Sequence, residues 1–229
     1  MGRKLRFRHP STWGFKARRA LDFGCGNNPR NPFLAQEHYF ADTLDIEDLR
    51  LSSRTQGLNE QIVLQNYSKI TRYAKLPFND NFFDVVTAFD VIEHLSREGT
   101  NSPNEFISVL NQIYRVLVPG GIFLALTPAF PSPAAFQDPT HINIITEFTS
   151  HYFIGQDAPA KVMGYGLEEG FEMVAQFWKM PLSQITSEVP DDFPLRRIFS
   201  PLTSISNLRS FVSGLRKPTH LVWILQKPH

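Results

Sequence analysis

Short apolar runs separated by turn residues alternate along this chain with one long amphipathic stretch. Arg18–Phe23 reads as a buried strand that ends in the glycine turn Gly24-Cys25-Gly26. Beyond the turn, Asn28 can cap a helix that has Pro29 at its first position. Tyr39–Ile46 predicts a second strand, Gln61–Gln65 a weaker third and Phe82–Phe89 a fourth rich in Val and Phe. The amphipathic stretch follows. Ser102-Pro103-Asn104-Glu105 has capping-box spacing, and Phe106, Ile107, Leu110, Ile113, Tyr114 and Leu117 fall on one helical face. Pro119-Gly120-Gly121 stops the helix, Ile122–Leu126 gives a fifth strand, and Phe171–Trp178 and Leu221–Leu225 give two later ones. Strands alternating with helices predict an α/β fold, a parallel sheet covered on both faces.

Composition narrows this picture. The 229 residues are 42% hydrophobic and 20% charged, so the chain can build a core without disulfides or metals. One cysteine, Cys25, excludes an internal disulfide and a cysteine-rich zinc site. No apolar run approaches the ~20 residues of a membrane span, and no secretion signal follows the basic start. The expectation is a soluble, cytoplasmic protein. Its net charge of +1 hides an asymmetry, because Arg3, Lys4, Arg6, Arg8, Lys16, Arg18 and Arg19 stand in the first twenty residues without an acid. Residues 1–17 are therefore expected to be a basic arm, and 18–229 one domain.

The glycine turn sits where a first strand meets a first helix, a place where backbone can approach a ligand. The dinucleotide fingerprint wants a third glycine where this chain has Pro29, which weakens a nicotinamide or flavin reading. Asp45, about twenty residues on, stands at the expected end of the second strand, where a carboxylate can accept ribose hydroxyls.

Together these segments resemble the class I S-adenosylmethionine-dependent methyltransferases. The resemblance runs through Leu21-Asp22-Phe23-Gly24-Cys25-Gly26, Leu44-Asp45-Ile46, Leu76-Pro77-Phe78, Phe83-Asp84-Val85-Val86, Val91-Ile92-Glu93-His94-Leu95 and Arg115-Val116-Leu117-Val118-Pro119-Gly120-Gly121. It implies a Rossmann-like, doubly wound seven-stranded sheet with the last strand antiparallel, and S-adenosylmethionine as cofactor. Gly24, Cys25 and Gly26 would pass close to its methionine part, with Asp22 ordering the turn. Asp45 would hold the ribose, Ile46 would lie on the adenine, Leu76 would reach the adenine edge, and Asp90 and Val91 would line the methionyl side. Arg72 stands where relatives often carry an acid, so adenine recognition is expected to use backbone groups.

Methyl transfer from a sulfonium needs alignment of donor and acceptor, and a hydroxyl acceptor also needs its proton removed. The candidate base is His141, in Asp138-Pro139-Thr140-His141 after the fifth strand, where open α/β sheets place their sites. A structural role, holding the loop, stands beside that reading. Asp90, Glu93 and His94 fall at helical spacing, but this set is incomplete for a metal, and none is expected. His94 is instead expected to pack over the cofactor edge or cap a helix. Cys25 reads as a small residue filling a tight turn.

The acceptor expected is a small molecule, a glycan or a lipid-linked sugar, methylated on oxygen. Methylation of nitrogen or carbon in a small metabolite, or a silent cofactor-binding scaffold, are the alternatives. Nucleic acid is not expected, since no Asn-Pro-Pro-Tyr-like motif follows the fourth strand. Residues 180–218 read as an insertion between the last two strands. Within it Leu202, Ile205, Leu208, Phe211, Val212 and Leu215 recur at helical spacing, beside Arg196, Arg197, Arg209, Arg216 and Lys217. Such a stripe suits either packing on the sheet or a second subunit, or peripheral contact of 195–218 with an anionic membrane. The sequence carries no signal for the oligomeric state.

Overall fold

The computed structural model describes residues 17–26, 35–43, 65–70, 75–97, 104–179 and 218–229. Seven strands form one sheet: β1 (Arg19–Phe23), β2 (Glu37–Asp42), β3 (Tyr67–Lys69), β4 (Phe83–Phe89), β5 (Leu117–Pro128), β6 (Glu172–Lys179) and β7 (His220–Gln226). Their order is β3-β2-β1-β4-β5-β7-β6. β1 to β5 pair in parallel, and β7 runs antiparallel between β5 and β6. This is the Rossmann-like sheet with an antiparallel last strand that the sequence predicts.

Alternation along the strands sends side chains to both faces, and both faces are buried. On β5, Phe123 and Ala125 join Leu21, Trp223 and the helix α1 (Glu105–Val116) in one core. Ile122, Leu124 and Leu126 join Ala20, Val222 and Ile224 in a second. β4 changes parity between Phe83 and Val85, where the register against β5 shifts. The irregular residue, Asp84, turns its carboxylate to the backbone N–H groups of Arg18 and Arg19, each 2.8 Å away.

Several elements differ from expectation, among them β5, which starts at Leu117 and includes Pro119-Gly120-Gly121 rather than spanning only Ile122–Leu126. β2 starts at Glu37 and ends at Asp42 rather than running from Tyr39 to Ile46. Its register against β1 pairs Arg19 with Glu37, whose carboxylate also takes both Arg18 and Arg19. β3 is Tyr67–Lys69, and of the expected third strand, Gln61–Gln65, all but Gln65 lies outside the described residues. A three-residue edge strand is held by its ladder to Phe40–Asp42, not by its own apolar pattern. The cap of α1 is Asn104, whose Oδ1 accepts from Ile107 N at 3.0 Å. The buried Glu105 carboxylate accepts from Ser96 N at 2.6 Å, and Ser102 lies outside the described residues. The expected helix after Asn28, Arg72, the arm of residues 1–16 and the segment 180–217 lie outside the described residues.

Arg115, near the end of α1, fixes the chain entering β4. Its guanidinium donates to the carbonyls of Leu76 (2.9 Å) and Phe78 (2.8 Å) and to Asp80 Oδ1 (2.6 Å). Leu76 N in turn donates to Gln112 Oε1 at 3.1 Å. Both backbone groups of Leu76 therefore belong to the helix, and its side chain is buried in the core. Among the described residues no helix is long and apolar enough to cross a membrane.

Candidate active site

β1, β4 and β5 end at one edge of the sheet, and the antiparallel β7 begins there, with His220 opposite Pro128. Residues far apart in sequence meet along this edge. After β1 the chain turns through Gly24 (φ +69°) and Gly26 (φ +52°), the left-handed region that glycine adopts without cost. Gly24 N donates to Ala41 O at 2.8 Å, and Gly26 N donates to Asp42 Oδ2 at 2.7 Å. A Cβ on Gly24 would lie 2.4 Å from Val91 Cγ2, whereas one on Gly26 would meet no atom of the described residues within 4 Å. Gly24 is thus required by packing, and Gly26 by its positive φ.

Below the turn, Asp22 is buried and accepts from Thr87 Oγ1 at 2.8 Å, which ties β1 to β4. The Cys25 side chain packs against Phe40 and Tyr67, and burial, with Asp22 and Asp42 nearby, pushes its thiol up. Cys25 therefore offers the turn its backbone, not a reactive sulfur. Asp45 and Ile46 lie outside the described residues. The acid that closes β2 is Asp42, which sequence reasoning misses because the apolar pattern carries the strand on to Ile46. Leu76 contributes core packing, as described above.

Asp90 ends β4 with φ +56°, its N–H donating to Leu126 O at 2.8 Å. Its Oδ1 lies 3.2 Å from Nε2 of His220, a residue with no motif to mark it in sequence. Only the placement of β7 beside β5 brings that pair together.

A short 3-10 turn, Ile92–His94, follows, and the loop bearing His141 is fastened to it. Ile142 N and Asn143 N both donate to Glu93 O, at 2.8 and 2.9 Å. The buried Asn143 amide donates to Ile92 O (3.0 Å) and Leu95 O (2.6 Å). These bonds bring His141, His94 and Glu93 into one cluster. The His94 and His141 rings meet edge to face at 4.8 Å. Glu93 Oε1 lies 3.9 Å from His94 Nε2 and 4.0 Å from His141 Nε2. Asp90, which the sequence groups with Glu93 and His94, faces His220 instead, and His141 takes its place.

Glu93 is 1% exposed. Its Oε2 accepts from Thr127 Oγ1 at 2.8 Å, while Oε1 has no hydrogen-bond partner among the described residues. Burial, with lesser contributions from the charges of Asp90 and Asp138, pushes its carboxyl up to about 8. Asp138 sits oppositely. Two hydrogen bonds from Thr140, from Oγ1 (2.6 Å) and N (2.8 Å), hold its carboxyl below the usual range.

The raised value makes a stability prediction. A carboxyl at about 8 in the folded protein binds its proton more tightly than the ordinary carboxyl near 4.5. The native state then carries more protons between those values, so stability falls as pH rises through that window. Gln at this position keeps the Thr127 bond and cannot ionise. In EDTA, Glu93→Gln should match the wild type near pH 4.5 and exceed it by a few kcal/mol near pH 8.5, because each pH step of one across the window costs the wild type on the order of 1.4 kcal/mol. Urea unfolding at both pH values measures it, and parallel profiles would show that burial does not hold the proton.

Residues 21–125 match the family model of the methyltransferase domain. No curated protein matches the chain. Among solved structures, a SAM-dependent methyltransferase from Archaeoglobus fulgidus aligns over 95% of this chain and 90% of its own, at 19% identity and a TM-score of 0.54. The N-methyltransferase NodS from Bradyrhizobium japonicum aligns over 96% of this chain and 90% of its own, at 12% identity and a TM-score of 0.51. The cofactor that this domain implies is S-adenosylmethionine. Among the described residues the edge fits it, with the left-handed glycine turn after β1 and the half-exposed Asp90 carboxylate just beyond β4. Residues 21–125 match the methyltransferase-domain model, and the seven-stranded sheet gives the chain the class I S-adenosylmethionine-dependent methyltransferase fold.

Proposed function

We propose that the protein methylates a hydroxyl oxygen on a small molecule, a glycan or a lipid-linked sugar. The bound S-adenosylmethionine would supply a methyl already activated on sulfur. The chain's own residues then have two tasks: to hold the cofactor against the sheet edge and to activate the acceptor oxygen there. The first falls to the glycine turn, which Asp42 orders through Gly26 N, and to Asp45 and Asp90. The second falls to His141, and the observation supporting it is the cluster with Glu93 and His94 at the same edge. An amine acceptor needs no such cluster once neutral, whereas a hydroxyl does. Phe130, Phe136 and Ile142, all exposed in the loop that presents His141, suit an acceptor with an apolar portion. Phe136 follows Ala135, whose carbonyl oxygen lies 3.2 Å from His141 Nδ1.

The test is S-adenosylhomocysteine release across a panel of glycans, lipid-linked sugars, phenols and amines, with mass spectrometry of each product. Gain of one methyl on a hydroxyl is the expected result. Methylation confined to amines, or cofactor binding without turnover on any acceptor, would overturn it.

A further inference from the structure

Three groups that can ligate a metal face one another at the centre of the cluster. The tautomers follow from the neighbours. A carbonyl oxygen can only accept, so the contact of His141 Nδ1 with Ala135 O places the proton on Nδ1. His94 Nδ1 lies 3.0 Å from Thr140 Oγ1 and 3.3 Å from Thr140 O. The Thr140 hydroxyl spends its own proton on Asp138 Oδ1 at 2.6 Å, so it too accepts from His94. Both rings therefore turn Nε2, the nitrogen not engaged by these partners, toward Glu93. The third group is Glu93 Oε1, buried and without a hydrogen-bond partner among the described residues.

We propose that this space binds a divalent first-row metal ion through Glu93 Oε1, His94 Nε2 and His141 Nε2. Two imidazoles and one carboxylate suit such an ion and leave further coordination positions open. Bond lengths near 2.0–2.2 Å put neighbouring ligand atoms roughly 3–3.5 Å apart. The two carboxylate–imidazole distances of 3.9 and 4.0 Å thus close by less than about 1 Å, and the whole set, within 4.8 Å, by less than about 2 Å. The surroundings are those of a built site. Ala135 O and the Asp138–Thr140 pair orient the two rings, and Thr127 Oγ1 holds the other carboxylate oxygen. Glu93 O, tied to Ile142 N and Asn143 N, keeps the loop bearing His141 against the turn bearing His94.

This inference rests on the oxygen-acceptor reading and deepens it. A hydroxyl coordinated at an open position loses its proton to bulk water more readily, because the cation stabilises the alkoxide. In the transfer, the oxygen–carbon bond forms as the sulfur–carbon bond breaks, the electron pair staying on sulfur. His141 then activates the acceptor as a ligand of the ion. Acceptors with a second oxygen beside the reactive hydroxyl, vicinal diols of sugars or catechols, can chelate it.

The experiment needs neither cofactor nor acceptor, so its outcome is separable from that of the methyl-transfer reading. Metal-stripped protein is titrated with Mn2+ while the free ion is followed by electron paramagnetic resonance. About one site per chain is expected. Glu93→Gln and His141→Ala should each weaken it more than 100-fold, beyond the ~10–100-fold that outer-shell changes cost. His94→Asn, assayed with the others for an unchanged circular dichroism spectrum, guards against a misfolded variant. Glu172→Gln, an exposed acid on β6, should leave affinity unchanged. Absence of tight Mn2+ binding, or equal affinity in the folded Glu93→Gln, His94→Asn and His141→Ala proteins, would overturn the site.

Discussion

Alanine at Gly24 and alanine at Gly26 should fail in different ways, and the difference identifies the cofactor face. Both residues have positive φ, so a Cβ at either costs about 1–2 kcal/mol of backbone strain. At Gly24 the Cβ would also stand 2.4 and 2.7 Å from the two Cγ atoms of Val91. Val91 cannot retreat cheaply, because it lies between Asp90, itself at φ +56°, and the turn that presents Glu93 and His94. Gly24→Ala is therefore expected to lose stability by several kcal/mol and to lose cofactor binding with it. Adding Val91→Ala removes both Cγ atoms and should restore part of the stability, leaving the backbone strain and a 3.1 Å contact with Val91 Cβ. Gly26→Ala meets no atom of the described residues, so it should fold with only the strain penalty. Its methyl nevertheless enters the glycine turn where the cofactor is expected to pass, and calorimetry should show affinity for S-adenosylhomocysteine reduced at least about tenfold, on the order of 1.4 kcal/mol. A folded Gly26→Ala protein with unaltered affinity would move the cofactor away from this turn.

The parts of this molecule that are legible in sequence are those stabilised by their own side chains. β4 and β5 show themselves through runs of Val, Phe, Ile and Leu, because both faces of a central strand are buried. The apolar stripe of α1 is equally plain, yet its start is misleading. The Ser102 spacing predicts a cap two residues early, whereas Asn104 caps the helix and Glu105 turns to Ser96 N, a partner set by tertiary structure. β2 and β3 depart from their apolar patterns for a related reason. A strand near the sheet edge takes its limits from its partner, here the pairing of Arg19 with Glu37 and of Phe40 with Tyr67. The candidate site divides in the same way. Gly24 and Gly26 are visible as a turn and His141 as a motif. Glu93, Thr127 and His220 acquire their meaning from strand order, which places the ends of β4 and β5 beside the beginning of β7.

His141→Ala should reduce turnover by about 100-fold or more while cofactor affinity stays within experimental error. The expectation of intact affinity comes from how the loop is held. Its attachment to the 3-10 turn runs through Ile142 N, Asn143 N and the Asn143 amide, whereas the His141 side chain contributes one bond, to Ala135 O. Removing the imidazole leaves those tethers and the glycine turn in place. Asn143→Ala is the informative contrast, since it strips two carbonyls of their donor and should raise KM as the loop loosens. If His141 merely supported the loop, the two variants would behave alike. The manner of activation can be read from the same assay. Activation through a bound cation predicts that a chelator lowers wild-type turnover toward the His141→Ala level and that added Mn2+ restores it in the wild type alone. Turnover in the wild type that ignores chelator, combined with the loss in His141→Ala, would assign the imidazole as a direct base. Near-normal turnover in His141→Ala would remove this residue from the chemistry altogether.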